Sequence, residues 1–139
     1  MKKLSKLFFP VLALFSLFIS SCEKEKPANS NAEFYIRYSY TVAQPNQGSG
    51  SGTGNIANGI VNAVYQLDPY LHGTGICQNG KWSYEVKIDP KTAVFLATQD
   101  PKTGMVTIKV GTAKATYTIT ITYTCPDGTS YSATVTITT

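Results

Sequence analysis

The stretch ATYTITITYTCPDGTSYSATVTITT, residues 115–139, decides the fold. From Ala115 to Tyr123 the odd positions carry Ala115, Tyr117, Ile119, Ile121 and Tyr123, and the even positions from Thr116 to Thr124 are all threonine. Beyond Pro126-Asp127-Gly128 the alternation resumes, with Tyr131, Ala133, Val135 and Ile137 set between serines and threonines. A period of two in two runs split by a turn predicts a β-hairpin with one buried face. Register chooses the turn. A three-residue loop, with Pro126 and Asp127 in a type I turn and Gly128 in the left-handed region, pairs Cys125 with Thr129. It then pairs Tyr123 with Tyr131, Ile121 with Ala133, Ile119 with Val135 and Tyr117 with Ile137. A two-residue loop opposes Tyr123 to Ser130 and mixes apolar with polar on both faces, which a half-buried sheet does not tolerate. The hairpin therefore has a wet threonine face and a dry face that needs a second layer.

Upstream, the same alternation recurs in shorter pieces. Glu33 to Val42 places Phe34, Ile36, Tyr38, Tyr40 and Val42 on one face, with Tyr35 standing on the polar one. Ile60 to Leu67 and Lys81 to Ile88 read as further strands, the second alternating Trp82, Tyr84, Val86 and Ile88 with charged or small polar residues. Asp68 to Gly75 reads as an irregular connection that holds Tyr70 and His72. Asn79-Gly80 suits a two-residue hairpin turn that sets Cys77 opposite Trp82; a three-residue loop sets Ile76 there instead. Asp89-Pro90-Lys91-Thr92 and Asp100-Pro101-Lys102-Thr103 repeat one tetrapeptide, each proline presetting a type I turn around a strand at Ala93 to Gln99. A four-residue loop at the second turn sets Phe95 and Ala97 beside Val110 and Ile108.

The expected architecture is all-β, an immunoglobulin-like antiparallel sandwich of about seven strands, near 33–42, 60–67, 81–88, 93–99, 105–110, 115–125 and 129–138. The closing hairpin resembles the last two strands of bacterial immunoglobulin-like and polycystic-kidney-disease-type domains. Between the first two strands, Gln44 to Asn55 (QPNQGSGSGTGN) is low in complexity and reads as a flexible surface loop. It lacks the Gly-Lys-Ser/Thr ending of a phosphate-binding loop.

The amino terminus reads as a targeting segment. Lys2, Lys3 and Lys6 precede an apolar run from Leu7 to Ile19, broken only by Pro10 and Ser16 and too short to span a bilayer comfortably. It ends in Ile19-Ser20-Ser21-Cys22, which resembles the lipobox of bacterial lipoproteins. The resemblance implies cleavage before Cys22 and acylation of its thiol, palmitate included. The expected division is thus 1–21 signal peptide, 22–32 lipidated cysteine and tether, and 33–139 the sandwich domain. Glu23 to Ala32 (EKEKPANSNA) is polar with alternating charge. Lipoproteins of the Bacteroidota often carry an acidic run after the lipidated cysteine that directs them to the cell surface. Glu23 and Glu25 resemble it, but Lys24 and Lys26 interrupt it, so an outer-membrane location leaves the domain facing either the surface or the periplasm.

Lipidation also resolves the cysteine arithmetic. Of the three cysteines, Cys22 is taken by lipid, and Cys77 and Cys125 remain to form a disulfide in an oxidising compartment. Three of the twelve Lys and Arg lie in the leader, leaving nine against eight Asp and Glu from Cys22 onward. A near-neutral chain gives no support to nucleic-acid binding.

Little catalytic material is present. His72 is the one histidine, and a hydrolytic triad needs a nucleophile on a strained turn as well. Zinc needs several His or Cys ligands, and Asp68, Asp89, Asp100 and Asp127 fall in separate turns without a calcium-loop spacing. No catalytic residue, metal or cofactor is therefore expected. Among the aromatic residues, Trp82, Tyr84, Tyr117, Tyr123 and Tyr131 fit the core, which leaves Tyr35 and Tyr70 as candidate contact residues for a glycan or an envelope protein. Tyr123-Thr124-Cys125-Pro126-Asp127-Gly128 also resembles the Tyr-x-Cys-x-x-Gly segment of membrane-bound lysozyme inhibitors, although near the end of the chain rather than early. The expected function is non-catalytic: surface glycan or partner-protein binding and adhesion, with a periplasmic enzyme inhibitor or an envelope scaffold as the alternative.

Overall fold

A computed structural model describes residues 31–42 and 48–139. The leader, Cys22, most of the tether and the start of the glycine-rich stretch lie outside the described residues. Among the described residues eight strands form: β1 (Glu33–Val42), β2 (Ser49–Thr53), β3 (Ala63–His72), β4 (Lys81–Asp89), β5 (Phe95–Gln99), β6 (Val106–Val110), β7 (Thr116–Thr124) and β8 (Ser130–Thr138). They make a five-stranded sheet, β2-β1-β3-β6-β5, packed on a three-stranded sheet, β4-β7-β8. Without β2, this is the A-B-E-D over C-F-G order of a constant-type immunoglobulin domain.

The closing hairpin has the register its alternation requires. Tyr123 faces Tyr131, Ile121 faces Ala133 and Tyr117 faces Ile137. The three-residue loop closes with Cys125 N–H donating to the Thr129 carbonyl at 2.7 Å, and Gly128 takes a φ of 88°. The dry face meets the other sheet. Tyr65, Leu67, Val106 and Ile108 from one layer pack against Tyr117, Ile119, Ile121, Val135 and Ile137 from the other, all fully buried. Each such side chain contributes roughly 1.5–3 kcal/mol through apolar burial.

Tyr65 carries a polar group into this core. Its hydroxyl accepts from the Ile60 N–H at 2.6 Å and donates to the Ile60 carbonyl at 3.3 Å. Burial, the larger effect, raises its pKa above the ordinary 10.0. The folded chain then holds this proton more tightly than the unfolded chain. The stabilisation is complete below pH about 10 and is lost as pH rises from there towards the folded value. Tyr65→Phe should flatten the alkaline fall in the urea midpoint. At neutral pH it should cost about 1–3 kcal/mol by orphaning the Ile60 amide.

A second cluster closes the end of the sandwich where the chain enters. Tyr123, Cys125 and Tyr131 pack there with Ala32, Phe34, Leu71, Ile76, Cys77 and Trp82. The Cys77–Cys125 disulfide, with Cα atoms 5.9 Å apart, ties the β3–β4 connection to the tip of the closing hairpin. It caps the end of the sandwich rather than crossing its middle.

Several expectations are corrected. Asn79-Gly80 is not a hairpin turn, because β3 and β4 belong to different sheets and residues 73–80 cross between them. Gly80 is needed for close packing instead: a Cβ there would stand 2.3 Å from Tyr123 Cζ, and its N–H donates to the Tyr123 hydroxyl at 2.9 Å. The glycine-rich stretch is not wholly a loop. Ser49–Thr53 pairs with β1, and a Cβ on Gly50 or Gly52 would lie within 2.8 Å of the Tyr40 or Tyr38 side chain beneath. The second predicted strand runs on through Pro69 to His72, so Asp68 and Tyr70 are strand residues. Proline is tolerated there because β6 pairs with β3 only from Val64 to Leu67, leaving that flank of Pro69 open. Finally, the repeated tetrapeptides differ. Asp100 accepts from Lys102 N–H through its carboxylate at 2.8 Å, which holds its pKa below the ordinary range. The first copy turns one residue later, with Ala93 N–H donating to the Pro90 carbonyl after a cis Asp89-Pro90 bond.

Candidate functional site

In β1 the even residues point into the core, so Glu33, Tyr35, Arg37 and Ser39 face solvent; in β3 the parity is reversed and Gln66, Asp68, Tyr70 and His72 face solvent. Antiparallel register places them opposite one another as four rungs: Glu33 with His72, Tyr35 with Tyr70, Arg37 with Asp68 and Ser39 with Gln66. The two tyrosines that stand out in the sequence are therefore one feature. Their ring centroids are 4.8 Å apart, with planes inclined by 30°. Tyr35 is 38% exposed, whereas Tyr70 is half-buried beneath its neighbours.

Charge frames the rings. The Arg37 guanidinium lies 5.2 Å from the Tyr70 centroid and its Nη2 meets Asp68 Oδ2 at 2.6 Å. Both partners are about half exposed, 50% and 44% for the side chains, so the pair is screened and orients more than it stabilises. The His72 ring stands 6.0 Å beyond Tyr70. Neither the Tyr35 nor the Tyr70 hydroxyl has a hydrogen-bond partner among the described residues. Next to the stack lies a shallow depression of about 260 Å³ lined by Arg37, Tyr38, Ser39, Gln66, Asp68 and Met105. The ladder offers two aromatic rings, a cation, a carboxylate and an amide on one open face.

Arg37, Asp68 and His72 were not legible as companions of the tyrosines. Their signal was the polar parity of β1 extended to a β3 that continues through Pro69, and the proline hid it.

The remaining candidates fall elsewhere. Cys22 lies outside the described residues, and Cys77 and Cys125 are joined in the end cluster. The segment that resembles lysozyme inhibitors is engaged in its own turn and with the β3–β4 connection. The Tyr123 hydroxyl donates to the Cys77 carbonyl at 3.0 Å, and Asp127 Oδ1 accepts from Thr129 N–H at 2.8 Å. On the threonine face, hydroxyls pair across the strands, Thr120 with Thr134 at 3.0 Å and Thr122 with Ser132 at 2.8 Å. Among the described residues there is no group of three or more His, Cys, Asp or Glu placed to hold a metal. No protein-family model, curated protein or solved structure matches the chain.

Proposed function

We propose that this is a lipid-anchored envelope protein with a non-catalytic binding role, and that its contact surface is the Tyr35–Tyr70 face of the five-stranded sheet. The observation that supports this is the pairing of the two exposed-face tyrosines in one stack, flanked by Arg37 and Asp68. A saccharide ligand fits this chemistry best. The apolar C–H face of a pyranose packs on an amphipathic ring, and its hydroxyls find the free phenols, the guanidinium and the carboxylate within one sugar length. The site is open and shallow, so it suits a surface polymer presented in many copies better than a small metabolite, which calls for an enclosed cleft. Lipid at Cys22 and a short tether keep the domain at the membrane.

Titration of the protein with a panel of oligosaccharides, followed by tyrosine fluorescence, tests this. Tyr70→Ala and Tyr35→Ala should each weaken binding roughly tenfold, the loss of about 1.4 kcal/mol expected for an anchoring ring. Tyr131→Phe, inside the end cluster, should leave affinity unchanged. Equal affinity in wild type and both ladder variants would move the contact surface elsewhere.

A further inference from the structure

We infer that the ladder takes its ligand in cis, from the saccharide headgroups of the same membrane that carries the chain; lipidation at Cys22 and the ladder as contact face are its premises. The position of the ladder carries this. The chain enters the sheet at Glu33, opposite His72, and Tyr35 opposite Tyr70 is only two residues further along β1. Ten residues, Glu23 to Ala32, separate Cys22 from Glu33. Ten residues reach at most ~35 Å. The stack therefore lies at the end of the sandwich nearest the point where the tether joins it. The far end of β1, at Val42, stands about 25 Å beyond it at 3.4 Å per residue.

The chemistry fits such a ligand. Only Nη2 of the Arg37 guanidinium is engaged by Asp68, so further N–H groups remain for a phosphorylated or acidic sugar, with His72 one rung beyond Tyr70. Two rings on an open face hold a sugar weakly. A short tether offsets this, because a headgroup in the same bilayer meets the site at a millimolar effective concentration. Phospholipid headgroups alone offer charge but no pyranose face for the rings.

The test uses the full lipidated protein in vesicles of phosphatidylethanolamine and phosphatidylglycerol, with or without lipopolysaccharide, reading the nitration rates of Tyr35 and Tyr70 by mass spectrometry. Lipopolysaccharide should slow both rates. With the site unsaturated, lengthening the tether from ten residues to about forty with Gly-Ser repeats should reduce that occupancy roughly twofold, because the layer the domain explores above the plane of headgroups thickens as the square root of length. Protection that is independent of tether length means capture in trans and overturns the inference. Equal protection in vesicles without lipopolysaccharide overturns it in favour of contact with the phospholipid surface. The polysaccharide released from its lipid is the second arm. If the free polysaccharide protects both tyrosines while the vesicle-borne form does not, the cis inference fails and the contact face stands. If neither form protects them, the contact face itself fails.

Discussion

Replacing Cys77 and Cys125 together by alanine should lower the unfolding free energy by about 2–5 kcal/mol and the Tm by about 8 °C or more. The bridge spans a sequence separation of 48. Closing such a loop removes unfolded-state entropy worth ~4 kcal/mol in the chain-entropy account. Its position adds a native-state effect. The β3–β4 connection, residues 73–80, has no strand partners, and it is held by the bridge and by the Tyr123 hydroxyl, which donates to Cys77 and accepts from Gly80. The loss should therefore appear first as faster amide hydrogen exchange in residues 73–80, ahead of the core strands β3 and β7. Uniform acceleration throughout the domain would mean that the bridge acts through the unfolded chain alone.

Tyr123→Ala should be as costly, about 3–5 kcal/mol. The ring is 8% exposed, lies 4.7 Å from Trp82 between centroids, and fills the space that Gly80 leaves open. Its removal empties the middle of the end cluster and strands two backbone groups. Tyr123→Phe separates the two effects: it keeps the ring and should cost only about 1–3 kcal/mol, from the Cys77 carbonyl and Gly80 amide left without the hydroxyl. Combined with the cysteine pair, either variant should give less than the sum, because both act on one connection. Urea titration of the four chains of each cycle measures this directly, and strict additivity would contradict a shared role.

How legible the fold was depended on whether a local pattern met local competition. The closing hairpin, β1 and β4 were readable because alternation over eight or more residues leaves one register that buries all the apolar side chains together. The β5–β6 pairing was readable for the same reason, with Phe95 facing Val110 and Ala97 facing Ile108. The disulfide followed from cysteine parity once Cys22 was set aside for the lipid expected there. Where the pattern was shorter or carried a strong turn signal, tertiary packing decided. Asn79-Gly80 has the composition of a hairpin turn, yet its glycine makes room for a ring that is distant in sequence. Ser49 to Thr53 has linker composition, yet its small residues are what can lie over Tyr38 and Tyr40 on an edge strand. The two Asp-Pro-Lys-Thr copies show that four residues alone do not fix a turn, since only the second uses its aspartate as a cap.

The candidate site was half legible. Tyr35 was marked by its place on a polar face and Tyr70 by an apparent loop, but their contact depends on β3 running through Pro69 as a strand. Pairing partners of this kind are set by register over a whole strand, not by any residue near the tyrosines. Arg37 and Asp68 joined the site by the same route.

The measurement that tests the contact surface most directly is amide chemical-shift mapping of the labelled protein during titration with the oligosaccharide that binds best. Shifts should concentrate in residues 33–39 of β1 and 66–72 of β3, with the threonine face of β7 and β8 silent. Shifts confined to that threonine face, or to the loops at the far end of the sandwich, would contradict the role assigned to the Tyr35–Tyr70 ladder.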